Sequence, residues 1–177
     1  NGIKLSSPTS ISVLGDWMAV AMPAEDLATN GMVLFYNGLN TSSPAFIKAV
    51  EVGNLPDMVT FTPDASKVLT ANEGQPSGDY SIDPEGSISI ITIVNGMPND
   101  TSINISFSGY NGKQTELETQ GMHFPNPSGR TINGTLINTT VAQDLEPEYI
   151  TTTNDIAYVT LQENNGLAII NLADNSV

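Results

Sequence analysis

The chain has 177 residues, of which 39% are hydrophobic, 6% are aromatic and none is cysteine. That length suits one ordinary domain with a real core, and the missing cysteines exclude disulfides and Cys-ligated zinc or iron–sulfur centres. Nineteen Asp and Glu against five Lys and Arg give a formal net charge of −14, a surface that repels nucleic-acid phosphates and anionic lipid and attracts hard cations such as Ca2+.

In chain order, short apolar runs punctuated by Gly, Asn, Pro and Asp predict strands nearly throughout. A first set covers residues 10–14, 17–22, 31–36 and 46–52. A second covers 58–62, 67–72, 87–94 and 103–107, and a third 148–153, 156–161 and 167–172. One helix is predicted over 114–120, stopped by Gly121 at the position a C-terminal cap prefers. Asn-Gly pairs at Asn1, Asn30, Asn37, Asn95, Asn111, Asn133 and Asn165 mark tight hairpins, because both residues tolerate positive φ. No apolar run approaches the roughly 20 residues that span a bilayer, so no membrane insertion is expected in this stretch. An export signal is expected outside it.

The three sets repeat one another. Residues 55–59 (LPDMV) match 146–150 (EPEYI), and 68–73 (VLTANE) match 158–163 (YVTLQE). Each copy then has a Gly followed by apolar residues, at Gly31, Gly86 and Gly166. A repeat of about 40–50 residues built from four strands is a propeller blade. The expected fold is therefore all-β. It reads as an incomplete β-propeller of about three four-stranded blades (8–52, 55–107 and 146–177), the amino-terminal part of a larger, seven-bladed type of domain. The remaining blades, from the same polypeptide or another chain, are the expected partners, since unfinished blades leave open strand edges. A β-sandwich with coincidental similarity is the rival architecture.

Residues 95–144 read as a surface insertion, rich in Asn, Thr, Ser and Gly. Four N-x-Ser/Thr sequons fall in it, at Asn99, Asn104, Asn133 and Asn138, and a fifth at Asn40. They predict N-glycans on a secretory-pathway protein.

The chemistry rests on carboxylates. Glu73, Asp79, Asp83 and Glu85 crowd one polar loop, Glu146 and Glu148 flank Pro147, and Glu163 ends the next strand. By the repeat, Asp57 is equivalent to Glu148 and Glu73 to Glu163, so these acids are expected to meet where blade loops converge. The candidate metal ligands are thus Asp57, Glu73, Asp83, Glu85, Glu146, Glu148 and Glu163, with Ca2+ as the cation; the alternative is that they only hold turn amides. His123 is the only histidine, and nothing around it supplies a nucleophile and an orienting acid in a recognisable order. Neither a P-loop, an EF-hand loop nor a His-Glu-x-x-His motif occurs.

Residues 56–64 (PDMVTFTPD), 71–74 (ANEG), 83–91 (DPEGSISII), 141–150 (VAQDLEPEYI) and 158–165 (YVTLQENN) resemble the choice-of-anchor I proteins. That family includes mesenchyme-specific cell-surface glycoproteins of biomineralising animals and many secreted bacterial proteins. The resemblance spans nearly the whole chain and implies a larger propeller domain. The segment 122–138 looks longer and richer in sequons here, and Asn154 and Asp155 stand where members often carry a Pro-Asp-Gly turn.

Two functions follow as expectations. One is a secreted or cell-surface acidic glycoprotein, calcium-binding, with a structural, adhesive or mineral-matrix role. The other is part of a metal-dependent phosphoester hydrolase, because some relatives carry alkaline-phosphatase or phytase-like annotation. The scarcity of Lys and Arg weighs against an anionic substrate.

Overall fold

The computed structural model describes residues 2–126 and 128–177. Three antiparallel sheets follow one another along the chain. The first is a meander of β1 (Ser10–Leu14), β2 (Trp17–Met22), β3 (Asn30–Asn37) and β4 (Ala45–Asn54). The second contains β5 (Pro56–Phe61), β6 (Lys67–Asn72) and β7 (Ser87–Val94), with β8 (Met97–Pro98) and β9 (Ile103–Ser106) both paired to β7. After helix α1 (Gln114–Thr119), the small hairpin β10 (Thr131–Ile132) and β11 (Thr135–Leu136), and helix α2 (Val141–Asp144), the third sheet is β12 (Pro147–Thr152), β13 (Ile156–Leu161) and β14 (Gly166–Asn171). The chain is all-β, and among the described residues no sheet closes into a barrel.

The sheets stack face to face, and burial explains their sequence patterns. The middle sheet is covered on both faces, so β6 and β7 are buried along most of their length, apolar residues alternating with Thr, Asn and Ser. Val68 and Ile91 face the first sheet and pack with Ala19, Ala21, Val33, Phe35, Val50 and Val52. Leu69, Ala71, Ile88 and Ile90 face the third and pack with Ile150, Ala157, Val159 and Ile170. The outer sheets bury one face each, and β14 alternates strictly between buried and exposed. Their outer faces leave Ile11, Val13, Tyr149, Leu167 and Ile169 exposed.

A polar rung crosses the first interface. Asn72, fully buried, donates to Ser89 Oγ (2.9 Å) and Ser87 Oγ (3.2 Å) and accepts from Thr70 Oγ1 (2.8 Å). Ser89 Oγ also accepts from the Gly53 amide (3.0 Å). A β-carbon at Gly53 would meet Asn72 Nδ2 at 2.6 Å, so the backbone can approach only as glycine.

The sequence places most strands within two residues of their observed bounds, and three expectations need correction. Asn30 opens β3 and Gly31 packs beneath Pro56, so this Asn-Gly pair is no turn. Asn95-Gly96 (φ 52° and 75°) and Asn133-Gly134 (φ 47° and 86°) do close two-residue hairpins, whereas Asn1 lies outside the described residues. The stretch 95–144 is more than a surface loop. Besides the strand expected at 103–107, which is β9, it supplies β8, and Ile105, Phe107, Val141 and Ala142 all enter the core between the second and third sheets. A second helix, α2, went unpredicted, although Thr140 and Gln143 form a capping box at its start.

Candidate functional site

Acids from the second and third sheets converge on a cleft of about 360 Å³, lined by Glu73, Tyr80, Asn126, Asp144, Glu146 and Glu163, among others. Glu73 follows the end of β6, and Glu163 holds the equivalent position after β13. Glu146 immediately precedes β12. Among the described residues no Lys or Arg lines the cleft.

The electrostatic consequence is large. Burial, reinforced by Asp57, Glu148 and Glu163, pushes Glu73 up to about 7. Burial, reinforced by Glu73, Asp144, Glu163 and Glu148, likewise brings Glu146 to about 7. Asp57 and Glu148 are raised, by burial first, and Asp57 adds repulsion on Glu148. Asp144, only 4% exposed, is raised by burial to about 6 despite the hydrogen bond from the Asn126 backbone amide.

Of the seven acids expected to gather, Asp57, Glu73, Glu146, Glu148 and Glu163 influence one another here. Asp83 lies outside that group of five but acts on Asp144 and Tyr80 at the edge of the cleft, its Oδ2 accepting from Thr139 Oγ1 at 3.1 Å. Glu85 is exposed and takes a bond from Ser106 Oγ (3.3 Å) beside a different groove of about 790 Å³ between the first two sheets. Asp79 belongs to its own turn, where bonds from Ser81 and Ser77 bring it down to about 2. Among the described residues, no three acid or histidine side chains converge as ligands of one ion.

Sequence reasoning missed two residues. Asp144 is one, and Asn164 is the other. Asn164 is fully buried; it donates to the carbonyls of Asp144 (2.7 Å) and His123 (3.1 Å) and accepts from the Glu146 amide (3.3 Å). Its own carbonyl accepts from the His123 amide at 2.8 Å. Asn164 thereby fixes the cleft wall to the β13–β14 turn. His123 is exposed and serves that wall through its backbone. The five sequon residues Asn40, Asn99, Asn104, Asn133 and Asn138 are all exposed.

Among the described residues no helix is long and apolar enough to cross a membrane. Searches of curated proteins and of solved structures found no significant match. A profile of the choice-of-anchor I domain covers residues 3–177, and the chain belongs to that family.

Proposed function

We propose that this chain is part of a secreted or cell-surface acidic glycoprotein of the β-propeller type, with a structural, adhesive or mineral-matrix role that uses weakly held Ca2+. The observation that carries this reading is the cleft in which acids at equivalent repeat positions crowd together without Lys or Arg. Such a surface attracts Ca2+, whose oxygen ligands it supplies, and repels phosphoester anions. Family membership supports an extracellular setting, and the five exposed sequons are accessible to glycan transfer. Successive meanders stacked face to face support the propeller reading. The apolar outer faces at Ile11, Val13, Leu167 and Ile169 are surfaces that further blades would cover.

The test is expression of the chain through a eukaryotic secretory pathway, with glycan mapping by mass spectrometry and a phosphoester assay in the presence of divalent metals. Glycans on at least two of the five sequons and no turnover are expected. Turnover that Glu148→Gln abolishes would replace this reading with a metal-dependent hydrolase.

A further inference from the structure

One corner of the cleft is built differently from the rest. Asp144, the last residue of α2, is 4% exposed, yet only its Oδ1 is engaged, by the Asn126 amide at 3.1 Å. Its Oδ2 is buried and has no hydrogen-bond partner among the described residues, and the same holds for Asp83 Oδ1. An unpaired buried carboxylate oxygen is costly and calls for an occupant.

The surroundings say what that occupant is. Asp144 also lines a small pocket of about 20 Å³ with Phe124, Asn126, Ser128, Thr139 and Thr140, room on the order of one water or one ion. Thr139 Oγ1 lies 2.7 Å from Asn126 Oδ1 and 3.1 Å from Asp83 Oδ2. One hydroxyl proton can satisfy only one of those two acceptors. The corner therefore has an excess of oxygen lone pairs over protons, and among the described residues no Lys or Arg lines the pocket.

We propose that Asp83 and Asp144, with the neutral oxygens of Asn126 and Thr139, form a discrete Ca2+ site that fastens Asn126 and residues 128–139 onto the second sheet's loop and α2. Two carboxylates, an amide oxygen, a hydroxyl and water are the ligand types Ca2+ prefers. Two carboxylates also balance its charge. The ion would complete a link already begun by Gln143 Nε2, which donates to the Asp83 carbonyl at 2.7 Å. The proposal rests on the calcium part of the preceding reading, and not on its extracellular role.

The fastening has a convenient reporter. Arg130 is the only arginine in the chain, it is exposed, and it lies between Asn126 and Thr139. The full chain, stripped with chelator, is titrated calorimetrically with CaCl2 and digested with trypsin with and without Ca2+. Saturable binding of one ion is expected, with cleavage after Arg130 slowed at least fivefold. Asp144→Asn and Asp83→Asn should each weaken that binding at least tenfold and remove the protection. Glu116→Gln, which deletes the same charge from the exposed face of α1, should change affinity less than threefold.

If the chain binds Ca2+ only at several weak sites and the two Asp variants match wild type, the discrete site is overturned and the calcium reading survives. If no Ca2+ binds at all, both fall. Circular dichroism verifies that the variants fold. Should neither do so, wild type alone decides, through one saturable ion with protection at Arg130 or their absence.

Discussion

The ring of Pro147 lies against the α-carbon of Gly86, where an added β-carbon would stand 2.7 Å from its Cδ and collide with the Leu145 carbonyl. Pro56 meets Gly31 in the same way one sheet earlier, with no room for a side chain. In the first two sheets a bare glycine, in the third strand or just before it, thus receives the proline that opens the next sheet. The repeat seen in the sequence is a repeat of this contact.

Gly86→Ala is expected to cost about 2–3 kcal/mol, because backbone and a proline ring cannot move aside as a flexible side chain can. Gly31→Ala should behave alike. Gly78→Ala, where a β-carbon meets nothing within 4 Å, should stay within about 0.5 kcal/mol of wild type. Urea denaturation of the three variants checks this, and equal midpoints for Gly86→Ala and Gly78→Ala would remove the glycine–proline contact as a stacking device.

Why the strands were legible and the site was not comes down to range. Runs such as Ser87–Val94 and alternations such as Gly166–Asn171 carry their burial in local sequence. The equivalence of Glu73 and Glu163 was also legible, since a repeat in sequence becomes a repeat in position. Asp144 was not, because its four-residue helix is too short for periodicity and its burial is imposed by Asn126 and Asn164, distant in sequence. The local signal that existed was the Thr140–Gln143 capping box. Asn30 misled for the opposite reason: its Asn-Gly pair has a turn's local chemistry, but Pro56 claims the glycine for packing.

Asn164→Ala removes two donors and one acceptor from the cleft wall, leaving the Asp144 and His123 carbonyls and the Glu146 amide short of partners. A loss of about 2–4 kcal/mol is expected. Asn164→Asp should be worse, since it turns a carboxylate toward two carbonyl oxygens and adds charge to an acidic corner. Thermal melts of both variants test the order; an Asp variant more stable than the Ala variant would mean that this clip works by shape alone.

Asn72→Leu keeps the branch at Cγ but adds bulk and strips the interface rung, leaving Thr70, Ser87 and Ser89 hydroxyls buried without their shared partner. The same change presses a branched side chain toward Gly53. Destabilisation of about 3 kcal/mol is expected. Asn72→Leu paired with Ser87→Ala and Ser89→Ala should recover part of it, which a denaturation cycle across the variants would reveal. No recovery would place the cost in packing rather than in unpaired hydroxyls.

The acid cleft makes stability depend on pH in an unusual direction. Glu73 and Glu146 stand near 7 in the folded chain against 4.5 for an unburied glutamate. The folded state therefore binds protons more tightly than the unfolded one. The stability this confers is complete below about 4.5 and is lost as pH rises through about 7. Asp79 works the other way: held near 2 against 3.8, it contributes stability above 3.8 that disappears as pH falls toward 2. The metal-free chain should thus be most stable between pH 4 and 5. It should lose about 2 kcal/mol by pH 8, or about 4–8 °C for a chain of this size. Because the acids interact, they titrate as a group rather than one at a time. Glu73→Gln, which removes one charge from the crowd, should flatten the fall in Tm between pH 5 and 8, and Glu146→Gln should do the same. A Tm that rises over that interval in chelator would mean that the acids are paired in the folded chain, and the crowding that defines the cleft would have to be abandoned.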